Sequence, residues 1–309
     1  MPLIKPKALI PGARITVVSP ARIAPALWFD KITETLAKHN YEIIVHPQNM
    51  LNHHQLAGSD KDRAAALMEV FLNKRVDGIF CARGGLGSYR ILEHLDWEKI
   101  AAHPKVFCGF SDITTLLHAM YKKIGLVTFH GPVVWNFSFA HDPQLVENLV
   151  GTLENKLTGV PQKFAQATVV RPGSAEGPLI GGNITLLQHL IGTEYDFDTE
   201  GAILFLEDTE EKLSDTDRAL HHFAMAGKFS KIKGLIMGSL TRVKEEGDGA
   251  WGEKLEEVLQ KLVPGDVPIV SNFPCGHGKM LATFPIGTKA RLDAAADGVT
   301  FTLVESPFA

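Results

Sequence analysis

Ser111 stands where a short apolar stretch, Val106-Phe107-Cys108, runs into a segment of helical spacing, Thr114 to Tyr121. At such a corner a serine hydroxyl projects from a tight bend. Nearby amides and the positive end of the helix dipole can then stabilise an oxyanion. Gly109, two residues earlier, permits close backbone approach. A full G-x-S-x-G elbow would have glycine at 113, where this chain has Ile113, so the pattern is half matched. Ser-Asp is also what a helix start prefers, and N-capping is the competing role for Ser111.

A second chemical segment is Arg83-Gly84-Gly85-Leu86-Gly87-Ser88, between a strand and a helix. Its spacing fits neither the P-loop nor the dinucleotide fingerprint, and no lysine follows, so a nucleotide cradle is not expected. Gly84 and Gly85 let a backbone N–H point at a ligand, and the Gly85 amide could share an oxyanion with that of Asp112. Arg83 adds a charged fork that could hold a substrate carboxylate, unless it pairs with a local acid in a plain βα turn.

Two further groups suit a charge-relay arrangement. The apolar run Leu204-Phe205-Leu206 ends in Glu207, and a carboxylate where a buried strand emerges can orient a histidine. A structural ion pair or cap is the alternative for Glu207, and Glu210 and Glu211 are close enough to compete. His277 lies in the glycine-flanked loop Asn272-Phe273-Pro274-Cys275-Gly276-His277-Gly278, where its ring can approach a neighbour closely. Cys275 is a rival nucleophile, but it follows proline with no helix amino terminus to lower its pKa. The pairs His53-His54 and His221-His222 have no acid or cysteine at convincing metal-ligand spacing, so no metal is expected.

These residues need a frame. Strands are predicted at Ile15–Ser19, Glu42–Val45, Val76–Cys81, Val106–Cys108 and Leu126–Phe129. Helices are predicted over Ala26–His39, Asp60–Asn73, Ser88–Leu95 and Thr114–Tyr121. The alternation implies an α/β fold whose amino-terminal sheet is mostly parallel and flanked by helices. Ligands gather at the carboxyl ends of such strands, where Ser111 and the Gly84-Gly85 loop both fall. From about 151 to 177 the pattern lapses around Pro161, Pro172 and Gly173, so residues 161–176 are expected to form a linker. The division is then an α/β domain over 1–160 and a smaller mixed α/β domain over 177–309, with little parallel regularity. The second domain is expected to carry strands at Ala202–Leu206, Gly234–Met237 and Ile269–Val270, and helices through Ile191, over Ser214–Ala226 and over Trp251–Leu262. Short tail strands are expected around Pro285-Ile286-Gly287 and Ala296-Asp297-Gly298.

The chain has 309 residues, a net charge of −4 and three cysteines. That length allows two domains with a sizeable core, and the charge gives no reason to expect nucleic acid or an anionic membrane as partner. Three cysteines make no disulfide framework, and the first residues lack the apolar run of a signal peptide, so a cytoplasmic protein is expected.

Taken together, Ala82-Arg83-Gly84-Gly85, Gly109-Phe110-Ser111-Asp112, Gly181-Gly182-Asn183, Leu206-Glu207-Asp208 and Gly276-His277 followed by Pro285-Ile286-Gly287 resemble the LD-carboxypeptidase family of serine peptidases. That family includes muramoyl-tetrapeptide carboxypeptidases and microcin C self-immunity proteins. The resemblance covers nearly the whole chain. It implies a Ser111, His277, Glu207 triad, an oxyanion hole of the Gly85 and Asp112 amides, and no cofactor. Arg83 and Gly84 become substrate-binding candidates. A homodimer acting on a small muropeptide, releasing terminal D-alanine during peptidoglycan recycling, is the implied function. Hydrolysis of aminoacyl-adenylate analogues is the alternative, for which Trp251 in the Glu245–Gly252 loop could stack adenine rather than merely dock a loop. A non-enzymatic two-domain peptide-binding protein is the remaining reading.

Overall fold

The structure is a computed structural model that describes residues 2–139, 142–244 and 251–309. It divides into an amino-terminal unit, Met1–Lys156 with Ala282–Ile286 and Ser306–Ala309, and a carboxy-terminal unit, Leu157–Leu281 with Gly287–Glu305.

The amino-terminal unit alternates strand and helix: β1 (Arg14–Val18), α1 (Leu27–Ala37), β2 (Glu42–Val45), α2 (Asp60–Leu72), β3 (Gly78–Cys81), α3 (Trp97–Ala102), β4 (Val106–Gly109), α4 (Thr114–Ile124), β5 (Phe129–His130), α5 (Val134–Phe137) and α6 (Pro143–Leu153). Every residue of β3 and β4 is buried, as expected of central strands covered on both faces. Helix α2 begins with a capping box in which the Ser59 hydroxyl and Asp62 carboxylate satisfy each other's backbone amides. Gly125 ends α4 at φ 70°, the left-handed C-cap that glycine adopts without strain. The expected helix at Ser88–Leu95 is a 3-10 segment over Ser88–His94.

The carboxy-terminal unit comprises β6 (Gln162–Lys163), β7 (Thr168–Arg171), β8 (Gly173–Asn183), α7 (Ile184–Leu190), β9 (Ile203–Thr209), α8 (Leu213–Met225), β10 (Gly234–Thr241), α9 (Leu255–Leu262) and β11 (Ile269–Phe273). β12 (Phe284–Pro285) belongs to the amino-terminal unit, and β13 (Lys289–Ala295) and β14 (Gly298–Leu303) complete the carboxy-terminal one.

In the amino-terminal unit the sheet order is β12-β5-β4-β3-β1-β2, parallel throughout except for β12. The chain leaves β1 for β2 on one side and returns to β3 on the other. The strand order therefore reverses between β1 and β3, which is where open α/β sheets bind ligands. The carboxy-terminal sheet runs β6-β14-β13-β8-β9-β10-β11-β7. Its centre, β8 to β11, is parallel, which corrects the expectation of little parallel regularity. Residues 161–176 are not a linker, because they form β6, β7 and the start of β8. Both short strands are sheet edges with half-exposed side chains, so they lack the buried apolar alternation that marks a strand in sequence. Ala296-Asp297 is the turn of the β13–β14 hairpin rather than a strand. Helix α9 starts at Leu255, and residues 245–250 of the loop expected before it lie outside the described residues.

Candidate active site

In the amino-terminal unit the chain turns sharply at the end of β4. Ser111 has φ 62°, a left-handed conformation that costs a non-glycine residue about 1–2 kcal/mol. Its side chain caps neither the 3-10 turn Ser111–Ile113 nor α4, whose N-cap is Ile113. The capping role is therefore set aside, and a strained serine remains at the carboxyl end of a central strand. Gly109 explains why Ile113 can stand where the elbow motif has glycine: a Cβ on Gly109 would lie 2.8 Å from Ile113 Cγ2 and 3.2 Å from Cys81 Cβ. The bare glycine makes room for the isoleucine.

The loop after β3 passes against this serine. A Cβ on Gly84 would sit 2.8 Å from Ser111 Cβ, and 3.0 Å from both Ser111 Oγ and the Asp112 amide nitrogen. Gly85 follows at φ 109°, and its amide finds no acceptor among the described residues. Asp112 lies in the first turn of the 3-10 segment, where amides have no intrahelical acceptor. The Asp112 side chain ties the two segments together. Its Oδ2 accepts from the Ser88 amide at 2.9 Å, while the Ser88 hydroxyl donates to the Asp112 carbonyl at 2.6 Å. Burial pushes the Asp112 carboxyl above its ordinary range, against the opposing pull of the Ser88 donors. Arg63, 1% exposed, donates to the carbonyls of Pro20 and Gly87 and pairs with Asp60. It thereby bridges the loops after β1 and β3.

Arg83 is half-buried. Its guanidinium lies 5.4 Å from the Trp28 ring centroid and donates to the Ile23 carbonyl at 3.3 Å. Burial, and then the neighbouring Arg22, lowers its pKa. It has no acidic partner among the described residues, so the plain-turn reading with a local acid does not hold.

In the carboxy-terminal unit β9 delivers Glu207, fully buried, and the loop after β11 delivers His277. His277 Nδ1 donates to Glu207 Oε2 at 2.7 Å, with side-chain exposures of 6% and 0%. With Nδ1 carrying the proton, Nε2 is the nitrogen that can take another. Glu210 is instead paired with Arg242 at 2.9 Å, both about half exposed. A Cβ on Gly276 would lie 2.7 Å from Glu207 Oε2 and 2.9 Å from Glu207 Cβ, so only glycine lets the loop pass here. Gly276→Ala is expected to push the carboxylate off the ring and lower kcat by about 10²-fold, the effect of roughly 1 Å of misplacement. Circular dichroism and steady-state kinetics together would check it.

Next to Glu207, the Asp208 carboxylate accepts from Asn183 Nδ2 at 2.8 Å, the Thr185 hydroxyl at 2.9 Å and the Thr209 amide at 2.8 Å. Asn183 also caps α7, so β8, β9 and α7 meet at this carboxylate. Burial, reinforced by the charge of Glu207, pushes Asp208 up to about 6. The folded state then holds a proton between about pH 4 and 6 that the unfolded chain has released. This group's stabilising contribution is complete below the unfolded pKa and is lost as pH rises through about 6. Thermal melts of wild type and Asp208→Asn across that window are expected to differ in slope, with wild type falling more steeply as pH rises.

Cys275 is fully buried, and burial followed by the Glu207 charge drives its thiol far above the usual range. It cannot serve as a thiolate nucleophile, and it packs against Gly238. Trp251 shares a small cavity with Leu213, Asp217 and Val258. Among the described residues no group of three His, Cys, Asp or Glu could hold a metal ion. Arg63 has no signal in the sequence, because its partners are the distant Pro20 and Gly87 carbonyls; for Arg22 the usable signal is its position just past the first strand.

Residues 15–131 match the model of the LD-carboxypeptidase N-terminal domain, and residues 176–292 that of the C-terminal domain. The probable murein peptide carboxypeptidase of Bacillus subtilis is 34% identical over 297 residues, covering 94% of this chain and 92% of that one. A structure of MccF in complex with glutamyl sulfamoyl guanosine aligns with a TM-score of 0.89 at 25% identity, covering 100% of both chains. The muramoyltetrapeptide carboxypeptidase from Oxalobacter formigenes aligns at 0.81 with 27% identity, covering 94% of this chain and 98% of that one. Both family models fall on the segments that carry the strained serine and the Glu–His pair, and the chain belongs to the LD-carboxypeptidase family of serine peptidases.

Proposed function

We propose that this enzyme releases terminal D-alanine from murein tetrapeptides by cleaving the amide between an L-centre and the D-residue, with Ser111, His277 and Glu207 as triad. The observation that carries this reading is the buried 2.7 Å contact between His277 Nδ1 and Glu207 Oε2. It orients the imidazole and offsets the positive charge the ring gains when it takes a proton. His277 accepts the Ser111 proton as Oγ attacks the scissile carbonyl. The oxyanion is held by the amides of Gly85 and Asp112. Protonated His277 then gives its proton to the leaving D-alanine nitrogen, and water hydrolyses the acyl-enzyme. Arg83 and Gly84 line the substrate side. The names of the similar proteins, a murein peptide carboxypeptidase and a muramoyltetrapeptide carboxypeptidase, support the substrate class. A cytoplasmic homodimer serving peptidoglycan recycling completes the reading. Among the described residues no helix is long and apolar enough to cross a membrane, which accords with it.

A second reading, hydrolysis of an aminoacyl sulfamoyl nucleoside, is favoured by the 0.89 TM-score to MccF bound to such a compound. The same triad would serve it. Mass spectrometry after incubation with each compound separates the two. The proposal expects the tetrapeptide to lose one alanine, while intact tetrapeptide beside a cleaved nucleoside analogue would transfer the assignment to the second reading.

A further inference from the structure

The carboxyl ends of β1 and β3, where the strand order reverses, carry two arginines. Arg22 lies in the loop after β1 and Arg83 in the loop after β3. The two loops interlock. A Cβ on Gly85 would meet Arg22 Cδ at 2.3 Å and Cγ at 3.0 Å, so the Arg22 stem lies directly on the bare Gly85 backbone. Arg83 in turn donates to the carbonyl of Ile23, the residue after Arg22. Buried side chains hold both loops in place. Gln48 and Asn49 bond the Ser19 backbone and hydroxyl, and Arg63 joins Pro20 to Gly87.

Two half-buried guanidiniums here have no acidic partner among the described residues, and a like-charge pair costs stability. An anion that enters between them removes that cost. The position identifies it. Gly84 abuts Ser111, and the next residue, Gly85, supports Arg22. In a peptide ending one residue beyond the scissile bond, the terminal carboxyl carbon is three bonds from the attacked carbonyl, at most about 4 Å away. A guanidinium fork binds a carboxylate with parallel hydrogen bonds, which a lysine ammonium does not reproduce.

We propose that Arg22 is a specificity-determining residue that, beside Arg83, clamps the free carboxylate of the leaving residue and restricts the enzyme to terminal bonds. The proposal rests on the serine-peptidase reading above for its substrate class. Its test compares a tetrapeptide ending in D-alanine with the same peptide ending in D-alaninamide, for wild type, Arg22→Ala and Arg22→Lys. Wild type is expected to prefer the acid strongly. Arg22→Ala is expected to reduce the acid-to-amide ratio of kcat/KM by about 10- to 100-fold, mainly through KM, with Arg22→Lys recovering only part. The melting temperature of Arg22→Ala should equal or exceed that of wild type, since a repulsion is removed.

A structural role would lower both substrates together and leave the ratio unchanged, which would overturn the proposal, as would an unaltered ratio at full activity. Calorimetric titration of the two peptides into Ser111→Ala and into Ser111→Ala/Arg22→Ala reads the clamp without turnover. Tighter binding of the acid that depends on Arg22, with no cleavage by wild type, would retain the clamp and discard the peptidase substrate. Equal binding of acid and amide, or no binding of either, would discard the clamp.

Discussion

Ser111→Ala is expected to lower kcat/KM for the tetrapeptide by about 10⁵- to 10⁶-fold, leaving only what the oxyanion hole and binding supply. The size follows from the absence of a substitute nucleophile. Cys81, Cys108 and Cys275 are all buried, and burial pushes each thiol well above its usual range. Iodoacetamide should accordingly leave the native enzyme active. The backbone gives an independent check. At φ 62° alanine bears the same strain as serine, whereas glycine does not. Ser111→Gly is therefore expected to be equally inactive yet more stable than Ser111→Ala, by up to about 1 kcal/mol. An active Ser111→Ala protein would contradict the assignment of the nucleophile, and a less stable glycine variant would contradict the account of the elbow.

Glu207→Gln is expected to cut kcat by about 10³- to 10⁴-fold with little change in KM. The glutamine nearly matches glutamate in shape, so the loop at Gly276 need not move. What changes is the charge opposite Nδ1 and the tautomer the ring prefers. A glutamine NH₂ turned toward the ring would move the proton to Nε2, the nitrogen the reaction needs empty. Stability should not fall with activity. Glu207 is fully buried, its Oε1 has no hydrogen-bond partner among the described residues, and its charge disfavours ionisation of Asp208. Removing that charge is expected to hold or raise the melting temperature and to bring the Asp208 pKa down from about 6, readable by carboxyl NMR. A loss below tenfold in kcat would contradict the role of Glu207.

The elements that position the site were legible where burial is two-sided. Gly78–Cys81 and Val106–Gly109 are continuous apolar runs because both faces of each strand are covered. The polar corner at Ser111 is legible as well. The stretch 161–176 reads as a linker because edge strands bury little and because Pro172 and Gly173 stand between β7 and β8. In sequence the central parallel strands of the second unit read only as isolated segments. Their adjacency depends on a close backbone approach such as that of Gly181, where a Cβ would lie 1.8 Å from the Phe205 carbonyl oxygen. In the site itself, Glu207 and His277 could be singled out by strand end and glycine context, but their contact joins residues 70 positions apart. Arg63 leaves no local signature, because it acts through backbone that folding brings to it, at Pro20 and Gly87.

Acyl transfer through Ser111 is tested by rapid quenching of wild-type enzyme with the tetrapeptide, followed by digestion and mass spectrometric mapping of the covalent adduct. A transient mass equal to the peptide less D-alanine is expected, carried by the fragment that contains Gly109-Phe110-Ser111-Asp112 and located on the serine. An adduct on any other residue would contradict it.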